Sequence, residues 1–299
     1  MNLNGIIAEN YDIPPIVRLS ATENGSGNTY LISTDTKKYI AKINERTDFL
    51  SIYAKSYQVL ICNDLQMSAI IKTKNGDLST DDGVALYEFI EGTSLLAMDL
   101  PQMKSAIHYV HRFNEILRTV SFSPDEIENK TVWDFAKSID FLAGKFMNEY
   151  LSLFSGEGKT ELITAIHILI TNREKLEAQP CQLIHSDLGS DNFIFCNNQV
   201  LSIIDFTPEY ANEWYSLCQF LYWNLFWQKN HVIWMDIEQF LCMYNCGYEK
   251  DIILLFLIKA AVYRLSAPIA DAINNNRTDS IYLEKRIEIL KNILILQTE

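Results

Sequence analysis

The stretch Leu183-Ile184-His185-Ser186-Asp187-Leu188-Gly189-Ser190-Asp191-Asn192-Phe193-Ile194-Phe195 is followed, ten residues beyond Phe195, by Ile204-Asp205-Phe206. Two short apolar runs, Gln182 to Ile184 and Asn192 to Phe195, bracket a polar loop, and Val200 to Ile204 pairs back across Asn197-Asn198-Gln199. A strand ending at His185, a loop carrying Asp187 and Asn192, and a hairpin returning to Asp205 bring three oxygen-bearing side chains to one mouth. Asn192 and Asp205 are hard oxygen donors of the kind Mg²⁺ takes, with phosphate oxygens and water completing its octahedron. Asp187 is then free to accept a proton from an incoming hydroxyl. The bland alternative is an Asx-rich turn capped by its own side-chain bonds. Residue type, spacing and the flanking strand, loop and hairpin agree on the site instead.

Upstream, residues 16–91 are strand-like and turn-rich. Val17 to Ser20 and Thr29 to Ser33 flank Glu23-Asn24-Gly25-Ser26-Gly27-Asn28, which predicts an antiparallel hairpin. Lys38 to Ile43 forms a third strand. A helix spans 49–62, with Phe49, Ile52, Tyr53, Tyr57, Leu60 and Ile61 at helical spacing. Ser68 to Thr73 and Val84 to Ile90 read as two more strands, joined at Asn75-Gly76-Asp77. Gly25-Ser26-Gly27 at a hairpin tip lets backbone N–H groups approach phosphate without Cβ interference, though alone it reads only as a turn. Lys42 sits where a kinase places the lysine that holds the α/β-phosphates, though a strand lysine by itself is usually solvated.

After Gly92 the pattern turns helical. Helices are predicted over 102–118, Trp133 to Tyr150 and Glu161 to Leu176, the last apolar on nearly every side, as in a buried helix. Residues 212–299 read as helices again. The fold class is therefore α+β and bilobal. A small antiparallel β-sheet lobe with one helix (1–91) precedes a larger, mainly helical lobe (92–299).

An Asp and an Asn five apart, with Leu directly after the Asp, reproduce the protein-kinase catalytic loop, and Asp205-Phe206-Thr207 stands where its Asp-Phe-Gly falls. His185-Ser186-Asp187 with Asn192, followed by Ile204-Asp205-Phe206, resembles the aminoglycoside phosphotransferase/choline kinase superfamily, which has a protein-kinase-like fold. The Gly25 to Tyr30 loop, the connector Tyr87-Glu88-Phe89-Ile90-Glu91-Gly92 and His111 on the next helix extend the resemblance over roughly residues 16–225. It implies ATP- or GTP-dependent phosphorylation of a small-molecule hydroxyl, with Mg²⁺. Asp187 would be the base, Asn192 and Asp205 the metal ligands and Lys42 a phosphate contact. Gly25, Ser26, Gly27 and Asn28 would cover the phosphates, and backbone groups of Glu88, Phe89 and Ile90 would meet the purine. Two positions depart from the pattern. The residue aligned with the kinase helix glutamate is Gln58, unless Glu45 or Asp48 serves. The region Tyr215-Ser216-Leu217-Cys218 carries no acid. These departures motivate an alternative, a catalytically silent kinase-like nucleotide-binding protein with a structural or interaction role. A protein kinase is disfavoured, because no activation segment ends in Ala-Pro-Glu.

Composition bounds the partners. The 299 residues carry 25 basic and 38 acidic side chains, a formal net charge of −13, with 48 % hydrophobic residues. That excludes disorder of the whole chain and argues against nucleic acid as a partner. Met1 to Gly5 has no signal-peptide pattern, and the longest apolar run, Ile252 to Ile258, is far short of a membrane span. A cytoplasmic protein with six reduced, mostly buried cysteines and no structural metal is expected. Glu209 and Glu213 are acidic candidates for attracting an ammonium group. The aromatics Trp214, Tyr215, Phe220, Tyr222, Trp223, Phe226 and Trp227 read as core at helical spacing, with a cation–π pocket as the alternative. His185 is expected to orient its loop, His108 and His111 to pack or cap, and His167 to be a core histidine.

Overall fold

Alternation along the upstream strands gives the sheet two apolar faces, and each face recruits a different partner. In the computed structural model, residues 2–22, 28–153, 156–245, 247–275 and 282–297 are described. Helix α1 (Leu3–Asn10) precedes strands β1 (Ile16–Ala21), β2 (Thr29–Thr34) and β3 (Lys38–Ile43). Helix α2 (Thr47–Cys62), β4 (Ile70–Ile71) and β5 (Val84–Glu88) follow, and the antiparallel sheet has the order β1-β2-β3-β5-β4. Ile32, Tyr39, Ala41, Val84 and Leu86 close one face over Leu3, Ile7 and Tyr11. Ala85, Tyr87 and Ile40 on the other face join Leu50, Tyr53 and Leu60 of α2 in the main core, which continues into the helical lobe. Lys42 lies two residues from Ile40 and shares that inner face. Strand β4 is shorter than the Ser68 to Thr73 expected, and turns fill most of the polar stretch between it and β5.

Gly92 marks the passage between the lobes. A Cβ there would lie 2.4 Å from Ile194 Cγ2 and 2.8 Å from the Phe195 carbonyl oxygen. This close approach lets Thr93 pair with Phe195 through two backbone bonds. A second tie is ionic. Arg46, before α2, bonds both Asp48 and the Asp134 carboxylate of the helical lobe.

The helical lobe opens with α3 (Leu100–Leu117), started by a capping box between Asp99 and Gln102. The helix expected over 133–150 is broken. Helix α4 (Val132–Phe135) stops, Ser138 caps α5 (Ile139–Phe141), and the chain continues as a wide-turned segment over Leu142–Tyr150. Likewise 161–176 divides at Asn172 into α6 (Gly156–Thr171) and α7 (Arg173–Glu177). Helix α6 is amphipathic: Leu162, Ala165, Ile166 and Leu169 are buried, while Thr164, His167 and Ile170 face outward. His167 is thus a surface residue, contrary to the expected core position.

Two small ladders carry the loop of interest. Strand β6 (Gln182–His185) pairs with β9 (Pro208–Ala211), which the sequence reading missed because it is four residues long and starts at a proline. Strands β7 (Phe193–Cys196) and β8 (Gln199–Ile203) form the predicted hairpin. Its turn places Asn197 and Asn198 at φ 49° and 63°, the left-handed pair that such two-residue connections need and that Asn tolerates. Helices α8 (Glu213–Leu221), α9 (Trp234–Tyr244), α10 (Lys250–Asn274) and α11 (Leu283–Ile295) complete the lobe. Helix α10 is long and apolar enough to cross a membrane, but 94 % of that stretch is buried inside the chain. The cysteines differ from expectation: Cys218 is buried, whereas Cys62, Cys181, Cys196 and Cys242 are exposed.

Candidate active site

His185 organises the loop. Its ring is fully buried, and Nδ1 accepts the backbone N–H groups of Asp187 at 3.1 Å and Thr207 at 3.4 Å. With Nδ1 an acceptor, Nε2 is the protonated nitrogen and faces the Ile204 carbonyl at 3.4 Å. Burial holds this imidazole well below the ordinary value, to about 4. Ser216 donates to the His185 carbonyl at 2.9 Å, and Asn224 donates to that of Leu188 at 2.9 Å. Thus the acid-free region after the hairpin still anchors the loop, by hydroxyl and amide. Asn192 donates its amide nitrogen to the Asp187 carbonyl at 2.9 Å, leaving the amide oxygen for the cavity it lines. Asp205 has φ 53°, a left-handed conformation that Asp tolerates. Phe206 packs on Tyr53, Phe113 and His185.

Across the lobe junction, Lys42 bonds the Asp205 carboxylate and lies 3.9 Å from Glu45. Burial disfavours its charge, but Asp205 and Glu45 outweigh this and hold the ammonium above the ordinary lysine value. Tyr87 offers its ring at 5.5 Å and donates its hydroxyl to Glu45 at 3.3 Å. The second carboxylate at Lys42 is therefore Glu45, from the turn after β3. Gln58 is exposed, on the outer face of α2, and Asp48 is taken by Arg46. Tyr53 occupies the inner face of that helix, 5.4 Å from the Tyr87 ring.

Asp187, Asp191, Asn192 and Asp205 line a cavity of about 340 Å³, with Leu96, Trp223 and Trp227 as its apolar walls. Asp187 is 41 % exposed there, and its Oδ1 accepts from Arg264 Nη2 at 2.8 Å. Arg264, on α10, was not singled out from the sequence; one arginine within a 25-residue apolar helix was the available signal. Burial of the Asp191 carboxyl, with Asp187 and Asp205 nearby, holds it above the ordinary aspartate value. The approach of Asp191 depends on Gly189, whose Cβ would sit 2.6 Å from Asp191 Oδ1.

Other expected positions fall differently. Gly25, Ser26 and Gly27 lie outside the described residues; Asn28 is exposed and accepts from the Ile43 N–H at 2.9 Å. Glu88 uses its N–H on Ala69 and its carbonyl on Ser68, and the Phe89 N–H reaches Lys38 at 3.3 Å. Ile90 makes no backbone hydrogen bond among the described residues, so of the three it keeps both groups for a ligand. Glu209 turns away to Lys137 at 3.1 Å, and Glu213 pairs with Arg118 and Tyr244 at 2.8 and 2.9 Å. Neither reaches the mouth, because β9 and α8 present them to the opposite side. Of the aromatics, Tyr215, Phe220, Tyr222 and Phe226 are core, while Trp223 and Trp227 line the cavity. Arg264 lies over the Trp223 ring at 5.0 Å, and Arg286 over Trp227 at 5.7 Å. His111 packs edge-on against Tyr244, and His108 is exposed.

Among the described residues no trio of His, Cys, Asp or Glu forms a ready-made metal cage. Mg²⁺ takes one or two protein oxygens and fills the rest from phosphate and water. The amide oxygen of Asn192 and the carboxylate of Asp205 are the oxygens that could hold one here.

The model of the phosphotransferase enzyme family matches residues 18–208. No curated protein sequence is detectably similar to the chain. Among solved structures, an amicoumacin kinase in complex with AMP-PNP, Ca²⁺ and Ami superimposes at TM-score 0.69 and 16 % identity, covering 97 % of this chain and 94 % of its own. The choline kinase LicA from Streptococcus pneumoniae gives 0.65 and 13 %, with 94 % of each chain covered. A spectinomycin phosphotransferase in complex with ADP and spectinomycin gives 0.63 and 16 %, covering 99 % and 98 %. At these identities the likeness is one of fold. A family model spanning more than half of the sequence, on a fold that small-molecule kinases share, makes the chain a member of the phosphotransferase enzyme family.

Proposed function

We propose that the chain transfers the γ-phosphoryl group of ATP or GTP to a hydroxyl of a small molecule. The observation that carries this reading is the meeting of Asp187, Asn192 and Asp205 at one cavity, with Lys42 of the β-sheet bonded to Asp205. Lys42 would hold the nucleotide phosphates, and Ile90 would offer backbone groups to the purine. Asn192 and Asp205 would hold Mg²⁺, which when bound offsets phosphate charge. Asp187 orients the acceptor hydroxyl and takes its proton on Oδ2. Leu96, Trp223 and Trp227 would give the acceptor an apolar wall to lie against. Glu45 beside Lys42 weakens the case for a silent protein that Gln58 alone suggests.

Charge at the cavity favours an acceptor carrying an amine. Asp187 is balanced by Arg264 and Asp205 by Lys42. Asp191 has no basic partner among the described residues, so it is the carboxylate left for a substrate cation. The faces of Trp223 and Trp227 already meet arginines, so their role is as walls more than as a cation–π cage.

A coupled ADP-release screen across amino alcohols, choline-like amines, aminoglycosides and sugars tests the reading. An acceptor should emerge for wild type, and Asp187→Asn should lower its turnover by about 10²–10⁴-fold. Mg-ATP should also raise the melting temperature. No thermal shift at saturating nucleotide, or unchanged turnover in Asp187→Asn, would sink it.

A further inference from the structure

Arg264 lies inside the helical lobe with its side chain 7 % exposed, yet its carboxylate partner opens onto the cavity. A buried arginine needs compensating partners, and this one has several. Nε donates to Gln219 at 2.8 Å, and Nη2 donates to the Ser186 carbonyl at 2.9 Å and to Asp187 Oδ1 at 2.8 Å. The guanidinium carbon lies 5.0 Å from the centre of the Trp223 ring and 5.2 Å from that of Tyr263. From behind, Arg286 on α11 donates to the Arg264 carbonyl. Five of these contacts do not involve the Asp187 side chain. The cation is therefore held in place first, and the half-exposed carboxylate is the group being held.

From this arrangement we infer that Arg264 is a positioning residue for phosphoryl transfer: it locks Oδ1 of Asp187 and so aims Oδ2 at the acceptor hydroxyl. The inference rests on the reading of Asp187 as the base. One nitrogen grips both the Ser186 carbonyl and the Asp187 carboxylate, so backbone and side chain of the loop are set together. The loose transition state of phosphoryl transfer asks the Asp mainly to orient the nucleophile. What an ungripped carboxylate loses is direction, and misplacement on the scale of an ångström is costly.

The test uses the full chain, Mg-ATP and the acceptor found in the ADP-release screen, with Arg264→Met, Arg264→Lys, Asp187→Asn and the double variant Arg264→Met/Asp187→Asn. Arg264→Met should lower kcat by about 10–100-fold and leave KM for Mg-ATP within about twofold. Arg264→Lys, which keeps one charged donor, should recover part of the loss. The double variant should be no slower than Asp187→Asn, because the two groups act as a unit. A purely structural role would move nucleotide affinity along with turnover and would multiply with Asp187→Asn. Unchanged kcat in Arg264→Met, or multiplicative losses, overturn the inference alone. Unchanged turnover in Asp187→Asn overturns the base reading and this inference with it. Should Arg264→Met not fold, Arg264→Lys and Gln219→Leu, which frees the guanidinium on one side, are run through the same cycle and judged by the same two criteria.

Discussion

Acidification should destabilise this protein through His185, ahead of general acid unfolding. The ring is fully buried and accepts two backbone N–H groups on Nδ1. Protonation would turn that acceptor into a donor facing two donors, so the folded state excludes the proton until about pH 4, against 6.5 for the ordinary value. The unfolded chain takes it up from about pH 6.5 downward. Stability is therefore undiminished above that point and falls as the pH drops toward 4. Linkage over this interval gives a loss of about 2 kcal/mol between pH 7 and pH 5, and about 3 kcal/mol by pH 4. Carboxylates titrate over part of the same range, so the measurement is a difference. Urea unfolding of wild type and His185→Asn is compared at each pH. The advantage of wild type at pH 7 should shrink by about 2 kcal/mol at pH 5. Long-range ¹⁵N NMR should show the neutral ring with its proton on Nε2 at pH 5. Parallel stability curves for the two proteins, or a ring that titrates near 6.5, would refute the reasoning.

Gly92→Ala places a methyl against the fixed Phe195 carbonyl and Ile194, and should lower stability by about 1–3 kcal/mol in a urea melt. Lys42→Met should raise KM for Mg-ATP about tenfold or more, from a lost charge-assisted phosphate contact. Glu45→Gln should move it in the same direction, while Gln58→Ala should leave it unchanged in the same assay. Arg46→Leu and Asp134→Asn should couple by about 1–3 kcal/mol in a double-mutant cycle, because the partly buried ion pair joins the two lobes.

Much of the site was legible because it is local. Asp187, Asn192 and Asp205 lie within one strand, loop and hairpin, where turn chemistry such as the Asn197-Asn198 pair sets the geometry over a few residues. The strands β1 to β3 and the helices α2 and α3 were legible for the same reason: their apolar periodicity records the face each one buries. The readings that failed needed knowledge of which face meets which neighbour. Glu209 and Glu213 are close to the site in sequence, yet β9 and α8 turn them onto Lys137 and Arg118. His167 stands among apolar neighbours, but it falls on the exposed arc of α6.

The sequence by itself determined a strand, an Asp-Asn loop, an Asp-Phe hairpin and a lysine-bearing strand, because each part is specified by residues near one another. Only the tertiary structure decided which groups complete the chemistry. Lys42 and Asp205 are 163 residues apart, and Arg264 and Asp187 are 77 apart. Their meeting depends on how the sheet docks on the helical lobe and how α10 threads its core. The same packing chose Glu45 over Gln58 beside Lys42. It also set a buried guanidinium behind Asp187, since a charge enclosed at that depth stays only where the fold supplies a counter-charge and hydrogen-bond acceptors.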